Sequence, residues 1–353
     1  MTGFLTLRRV AGLLVAVLVV LFVLALPFMV ASGDIFFWDT VAVAVLFATS
    51  TNLLFGQAGI PSFGQAGFYA AGAYTAALAA QRGWPVLAVL VLAIVIAAAL
   101  SAIAALVAWR ITGLAFSMFT LAVAQSLYSF ALKNGTLGGY NGLTGFSATS
   151  VAGVDVTDPG FLWYVVVIIV ALGCFGFWVI SRSSFGLTMR AIREDPVRSL
   201  FLGVNVRGYR VLAFALAGAG AGLAGALSAY VNLVVTPDTA YWTASAEPII
   251  MLLLGGMSFF FGPAVGAVLL TALMHKLMNM THAYVLYVGI LLYLILLFLP
   301  RGVLSLSEVA RAFRRRLSGD AQAVAAGTAG ERAADAADAT EQETSIVGRG
   351  RTQ

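Results

Sequence analysis

The chain of 353 residues is 61% hydrophobic and 10% charged, and its mean hydropathy is +0.97. Soluble domains are about 25% charged, and repeated apolar runs of ~18 or more residues are typical of membrane-spanning helices. These values exclude an ordinary soluble protein. They predict an all-α fold, a polytopic transmembrane helical bundle of about 8–10 membrane segments with some broken or re-entrant helices. The net charge of +5 comes from arginines that border membrane segments, which does not favour binding to nucleic acid.

The predicted elements begin with a cytoplasmic N-terminus at residues 1–9, a spanning helix at 10–30 and a second span at 36–54. Glycine and proline then interrupt an apolar stretch at residues 52–80. Backbone groups freed by such breaks must find partners or line a water-filled cavity in lipid, and broken helices often line the substrate sites of transporters. We therefore assign eight residues of this stretch to a substrate pathway: Asn52, Gly56, Gln57, Gly59, Ser62, Gly64, Gln65 and Tyr74. The alternative is a tight loop whose small residues serve close helix packing.

Further spans are predicted at residues 84–109, 113–132, 161–180 and 209–231, with polar connections at 133–160 and 232–246. Gly218, Gly222 and Gly225 recur on one face of the 209–231 span, which indicates a close-packed helix seam. The single cysteine, Cys174, lies in an apolar run and allows neither an intrachain disulfide nor a thiolate metal cluster.

Glu247 opens the next apolar region, which Gly255, Gly256, Gly262 and Pro263 break. We predict a short descending helix, a turn around residues 258–262 and an ascending helix to about Met274. A connection at 275–282 and a final span at 283–299 follow. Whether the broken pair crosses the membrane or re-enters it stays open at this point. Glu247 either contributes to a pathway or favours the positive end of its own helix.

A transmembrane domain is thus expected at residues 10–303. Beyond it, residues 304–353 begin with a basic cluster at 314–316 and continue with almost no large apolar residue. Such a segment cannot bury enough surface to fold. The sequence therefore predicts a cytoplasmic, largely disordered tail.

The loop at residues 182–208, with its continuation to 210, is the long polar interruption that is rich in arginine. Its arginines are Arg182, Arg190, Arg193, Arg198, Arg207 and Arg210. Cytoplasmic loops of membrane proteins carry an excess of such residues, so we place this loop and both termini in the cytoplasm. The opposite side then carries only Arg82, Lys133 and Lys276.

Residues 185–204 of this loop have the pattern of an amphipathic helix with a break at Pro196. Pro196 suits the first turn of a second helix, Asp195 its N-cap and Gly203 its C-terminal end. The predicted apolar strip consists of Leu187, Ala191, Leu200 and Phe201. Ordered helices in a charged loop favour docking to a soluble partner, and the alternative is a solvated loop.

Motifs for chemistry are missing from the sequence. No Walker A lysine motif, no HExxH and no strand-borne GxSxG is present, so we expect no catalytic residue, no metal site and no cofactor bound by this chain. Transport driven by ATP would need a separate motor. An ion-coupled secondary transporter would bury several charges in its spans, and a membrane enzyme would cluster His, Asp or Glu at one face.

Three runs together resemble the permease subunits of branched-chain amino acid ABC transporters, the leucine/isoleucine/valine type. They are NLLFGQAGIPSFGQAGFYAAGAYTAA, GLTMRAIREDPVRSLFLGVNV, and SAEPIIMLLLGGMSFFFGPAVGAVLL followed by LFLPRG. The resemblance covers most of residues 41–303. It departs at Gln65, where the family often has a histidine. Permeases for urea and short amides share the pattern and are the alternative function.

The resemblance implies a transporter of several subunits in the bacterial cytoplasmic membrane, working by ATP-driven alternating access. The implied partners are two ATP-binding subunits that hold ATP and magnesium, a second identical or homologous permease, an extracytoplasmic solute-binding protein and membrane lipid. The implied ATPase-coupling loop contains Arg190, Ala191, Ile192, Arg193, Glu194, Asp195, Arg198 and Gly203. Glu247, Gly255 and Gly256 match family positions near the pore, so we add them to the substrate pathway.

Overall fold

The computed structural model describes residues 32–146, 150–151, 154–155, 159–280, 286–290, 293, 297 and 302–303. The predicted helix at 10–30, most of the final span and the tail beyond residue 303 lie outside the described residues. The α-helices are α1 (Ser32–Asn52), α2 (Gln65–Gln81), α3 (Val86–Val107), α4 (Leu114–Lys133), α5 (Pro159–Arg182), α6 (Ser184–Glu194), α7 (Pro196–Phe201), α8 (Val206–Asn232), α9 (Trp242–Gly255) and α10 (Gly262–Met280). Four two-residue strands are β1 (Leu143–Thr144), β2 (Ser150–Val151), β3 (Val154–Asp155) and β4 (Val234–Val235).

Five of the described helices are long and apolar enough to cross a membrane: α1 with its extension to Ala58, α3, α4, α5 and α8. Helix α2 packs against α3, α8 and α4, and the two shorter apolar helices α9 and α10 pack against α1. The predicted class, a polytopic helical bundle with broken helices, is confirmed.

Helix α8 lies at the centre of the bundle, where α1, α2 and α3 surround it. Its small residues explain how close the neighbours come. A side chain at Gly225 would overlap the carbonyl oxygen of Tyr69, and one at Gly218 would overlap Ser101. Gly72 of α2 has the same relation to the backbone of Gly222. The predicted close-packed seam is therefore present, and it joins α8 to both α2 and α3.

The glycine-rich stretch after α1 breaks the helix, as predicted. The chain first widens into a π-helical turn, Leu53–Ala58, and then leaves the helix at Gly59, where φ is +65°. Helix α2 begins only at Gln65. Side chains of α4 hydrogen-bond two backbone groups of this break. The Thr120 hydroxyl accepts from the Phe63 N–H and the Ser117 hydroxyl donates to the Pro61 carbonyl, both at 3.1 Å.

Helices α9 and α10 form a tight antiparallel hairpin. A side chain at Gly255 would overlap the Gly262 carbonyl, and one at Gly266 would overlap the Met251 carbonyl. Gly256, with φ of +106°, turns the chain between them. With 14 residues, α9 is about 21 Å long, which is less than the ~30 Å hydrocarbon core.

Two predicted boundaries of this hairpin were wrong. Helix α9 begins at Trp242, five residues before Glu247, because its polar residues find partners inside the protein: the buried Ser245 hydroxyl accepts from the Ala66 N–H of α2 at 3.1 Å. Helix α10 continues past Met274 and takes in His275, which the sequence placed in a connection.

Contacts between distant residues define two ends of the bundle. The loop end contains α6 and α7, the break after α1 and the turn at Met257, whose carbonyl oxygen lies beside Gly56. The opposite end, which we call the cavity end, contains the start of α1 and the connection after α8. There β1 pairs with β4, Leu143 opposite Val235, so the two predicted polar connections are joined to each other.

Candidate transport cavity and coupling surface

A cavity with a volume of about 580 Å³ lies at the cavity end. Small-molecule sites typically occupy ~300–1,000 Å³. Helices α1, α2, α8, α9 and α10 and the connection before α9 all contribute to its wall. Its polar lining residues are Thr40, Tyr69, Ser228, Asn232, Thr236, Asp238, Thr239, Glu247, Thr271 and His275, and its apolar ones include Phe36, Phe37, Val43, Phe47, Val231, Met251, Met274 and Met278.

Glu247 supplies a negative charge to this cavity from the second turn of α9, and its side chain is exposed there. Tyr69 and Ser228 contribute hydroxyl groups to the same lining as Glu247. Asp238 is a second carboxylate of the lining and is exposed. One wall of the cavity is thus acidic and rich in hydroxyl groups.

The other walls are apolar and aromatic. The Phe37 ring packs against the His275 imidazole with centroids 4.7 Å apart, and Phe47 packs against Tyr69 at the same separation. A cavity with one charged wall and one aromatic wall can orient a small amphiphilic molecule by its two different ends.

Glu247 is the one predicted pathway residue that lines this cavity. Asn52, Gln57 and Gln65 lie elsewhere in the bundle. Gln57 donates from Nε2 to the Ser181 hydroxyl at 2.6 Å, while Asn52 is buried next to Gly56. Gln65 is fully buried, and neither polar atom of its side chain has a hydrogen-bond partner among the described residues.

The remaining predicted pathway residues pack in the protein interior or at turns. Ser62 is buried and accepts from the Gly64 N–H at 3.3 Å. Tyr74 lines a separate cavity of about 150 Å³ between α2, α3 and α4. Gly255 and Gly256 form the apex of the α9–α10 hairpin. A pathway role for these residues stays a prediction, because the break and the hairpin apex lie at the loop end rather than at the cavity.

The predicted coupling loop folds into two helices, α6 and α7, at the loop end. The Asp195 carboxylate caps α7 by accepting from the Val197 and Arg198 N–H groups at 3.0 and 2.9 Å, as predicted. Pro196 is the first residue of α7, and Gly203 follows it with φ of +81°.

The packing face of α6 differs from the predicted strip. Met189 and Ile192 are the buried residues that hold α6 against the bundle. The predicted strip points outward: Leu187 is 60% exposed, Leu200 59% and Phe201 87%, and Ala191 is also exposed. Helix α6 packs through the face that contains Gly186, because the Ser181 carbonyl oxygen lies so close there that only glycine fits.

Two arginines of the loop are turned towards the protein. Arg193 donates from Nη1 to the Gly56 carbonyl, and its aliphatic part packs on Gly59. Arg190 donates to the Ser181 carbonyl. Glu194 and Arg198 are exposed and Ile192 is buried. Arg193 therefore ties the loop to the break after α1.

Sequence reasoning missed most of the cavity lining. Tyr69 lies in the stretch assigned to the pathway but was not among its named residues, while Ser228 and Asn232 come from a span and a connection that were interpreted as structural; polar residues near span ends were a usable signal. Within the described residues, no group of three His, Cys, Asp or Glu side chains is placed to hold a metal ion.

Comparison with known proteins identifies the family to which this chain belongs. Residues 35–300 match the family model described as the permease component of branched-chain amino acid transport systems. The chain is 27% identical to the high-affinity branched-chain amino acid transport system permease protein LivM of Escherichia coli (strain K12), over 82% of this chain and 75% of LivM.

Shorter matches extend the comparison. BraD of Pseudomonas aeruginosa, a permease protein of the same transport system type, is 30% identical over 46% of this chain and 53% of its own length. The fructose import permease protein FrcC of Rhizobium meliloti is 34% identical over 28% of this chain and 27% of its own. No solved structure matches.

Proposed function

Because the chain belongs to the family of permease components of branched-chain amino acid transport systems, we propose that it is the permease subunit of an ABC importer for branched-chain or related amino acids. It acts in the bacterial cytoplasmic membrane, with both termini in the cytoplasm, by ATP-driven alternating access. Two separate ATPase subunits bind ATP and magnesium. A second identical or homologous permease completes the pore, and an extracytoplasmic binding protein delivers the solute.

The choice of solute rests on the cavity around Glu247. A branched-chain amino acid carries an ammonium group, a carboxylate and an apolar side chain. The Glu247 carboxylate matches the ammonium group, and the Tyr69 and Ser228 hydroxyls can donate to the carboxylate. The aromatic and methionine wall matches the apolar side chain. The location of this cavity, at the end away from α6 and α7, is where an external binding protein would release its solute.

Uptake by the complete reconstituted transporter tests this assignment. A hydrogen bond to a charged group contributes about 1.5–3 kcal/mol, so Glu247→Gln should raise the half-saturating leucine concentration by about tenfold to a hundredfold. Asp238→Asn, which removes the second carboxylate of the same lining, should raise it less than Glu247→Gln does. Urea should not compete with leucine. Competition by urea with unchanged uptake in the Glu247 variant would instead establish the amide permease.

Energy from the ATPases would enter through the exposed face of α6 and α7. Leu187, Leu200 and Phe201 are exposed apolar residues on two short helices that also carry the exposed charges of Arg190, Glu194 and Arg198. An apolar helix face rimmed by charge is typical of a helix that binds in the groove of a partner. Phe201, at 87% exposure, is the natural anchor because aromatic residues dominate binding energies at interfaces.

Movement of this loop would reach the pore through Arg193. Its guanidinium holds the Gly56 carbonyl in the π-helical turn, and Gly56 in turn contacts the Met257 carbonyl of the α9–α10 hairpin. Glu247 belongs to α9, so a displaced loop pulls on the helix that carries the cavity carboxylate. This connection joins the two predicted functional regions.

Binding of purified ATPase to the permease tests the docking surface independently of solute. Phe201→Asp should weaken the complex at least tenfold, as expected for an interface anchor. Tyr140→Asp is the matched control, because Tyr140 is 81% exposed and lies in the connection after α4, at the cavity end. Equal affinities of the two variants would refute the coupling surface.

A further inference from the structure

A second, smaller cavity lies at the loop end, apart from the cavity around Glu247. It is enclosed by the end of α3, the start of α4, the first turns of α8 and the break after α1, where the predicted pathway residue Gly59 lines it. Its volume of about 60 Å³ gives room for roughly five water-sized groups, which matches the size of a phosphate group. Its lining residues include Ala108, Trp109, Thr112, Gly113, Arg207 and Arg210.

Positive charge is concentrated around this cavity. The guanidinium groups of Arg207 and Arg110 lie over the Trp109 ring, 4.4 and 4.7 Å from its centroid. Arg210 is the second arginine of the lining, and its Nε is buried without a hydrogen-bond partner among the described residues. Among the described residues, no Asp or Glu lines the cavity.

The free-energy cost of this arrangement indicates that the cavity binds an anion. The Arg110 and Arg207 guanidinium groups over one indole repel each other, and a buried donor without an acceptor, such as the Arg210 Nε, costs about 1–3 kcal/mol. Helix α4 also begins here, at Leu114, with no acidic residue in its first turn and no side-chain cap. Its free N–H groups add to the positive potential. One phosphate oxygen at Arg210 and another at Arg207 would satisfy both arginines.

The surroundings favour a lipid as the source of the phosphate. Ile103, Val107 and Leu114 are 57%, 68% and 72% exposed, on the last turns of α3 and the first turn of α4. In spanning helices such residues face acyl chains. Trp109 is 41% exposed, and tryptophan is enriched at the level of lipid headgroups. The cavity thus opens where headgroups and chains meet.

We propose that the cavity between Trp109, Arg207 and Arg210 binds the phosphate of an anionic phospholipid, whose acyl chains lie along the exposed faces of α3 and α4. Basic pockets between helices at the cytoplasmic face are suited to such headgroups. The site is distinct from the cavity around Glu247 and does not depend on the identity of the solute.

Native mass spectrometry of the purified full chain, titrated with phosphatidylglycerol or phosphatidylcholine, tests the proposal. The chain should bind phosphatidylglycerol at least tenfold more tightly. Arg207→Gln should weaken this binding about fivefold. Arg210→Gln should weaken it about tenfold, because the Arg210 Nε that would donate to the phosphate is buried. Arg207→Lys should retain most of the affinity. The double glutamine variant should bind both lipids alike.

Arg182→Gln is the matched control. Arg182 is exposed and lies over the Trp178 ring at 4.5 Å, so it has the same charge and the same kind of stacking but lines no part of this cavity. Its variant should bind phosphatidylglycerol as the unchanged chain does. Because Arg207 is exposed, its replacement should leave helix content and monodispersity unchanged even if the Arg210 variant fails to fold.

Three outcomes would overturn the proposal. The first is equal affinity of the unchanged chain for both lipids. The second is a loss in Arg182→Gln as large as that in Arg207→Gln. The third is displacement of phosphatidylglycerol by millimolar inorganic phosphate, which would assign the cavity to a soluble anion.

Discussion

Replacing Arg193 with methionine should loosen the break after α1 without unfolding the loop. The methionine keeps the aliphatic contact with Gly59 but loses the hydrogen bond to the Gly56 carbonyl. A charged hydrogen bond contributes about 1.5–3 kcal/mol. If that energy holds the π-helical turn closed, its opening equilibrium should rise by about tenfold to a hundredfold.

Amide hydrogen exchange measured by mass spectrometry reads this opening directly. Exchange of the peptide that covers Leu53–Ala58 should accelerate by the same factor, while peptides from the centre of α8 should not change. Arg198→Met is the control, because Arg198 is exposed on α7, whereas the side chain that packs on Gly59 is that of Arg193. The ATPase should still bind the Arg193 variant, whereas ATP-driven uptake should fall.

Two results would refute this reasoning. Unchanged exchange at Leu53–Ala58 in Arg193→Met would show that the bond to Gly56 does not hold the turn. Faster exchange with full uptake would show that the turn moves freely without disturbing transport, so the connection from the loop to α9 would be wrong.

Three further predictions concern packing, capping and topology. Gly72→Ala should destabilise the protein by about 1–3 kcal/mol and lower its thermal unfolding temperature, because the new methyl group would overlap the Gly222 carbonyl. Gly176→Ala is the control: the space around Gly176 is open, so the unfolding temperature should not change. Asp195→Ala should lower the stability of α7 by about 1 kcal/mol. Amide hydrogen exchange should become faster in α7 and stay unchanged elsewhere. A cysteine at position 139, introduced after the single native cysteine is removed, should react with an impermeant thiol reagent from outside the cell. Protection of that cysteine would overturn the proposed orientation.

Local patterns in the sequence were sufficient for the elements. Continuous apolar runs predicted α3, α4, α5 and α8, because a helix in lipid must satisfy its backbone internally. The glycine-rich runs predicted both breaks, since glycine permits the positive φ found at Gly59 and Gly256. The carboxylate of Asp195 before Pro196 predicted the start of α7. Each of these signals acts within a few residues.

Which side chains meet was decided by tertiary packing. Gln65 and Glu247 looked like equal pathway candidates in the sequence, yet one is fully buried beside α4 and α9 while the other faces the cavity at the cavity end. The outward turn of Leu187 and Phe201 depends on the contact of Gly186 with the Ser181 carbonyl, which the pattern of α6 alone does not contain.

The sequence by itself therefore determined that this is a helical membrane protein with two broken segments and a structured arginine-rich loop. These features depend on hydropathy, helix propensity and capping, which are properties of neighbouring residues. The tertiary structure decided that Glu247 lines the cavity, that Arg193 contacts the break, and that Arg207 and Arg210 share an anion-sized space. Those contacts join helices far apart in the chain, and their geometry follows from how closely the glycines of α2 and α8 let the helices pack.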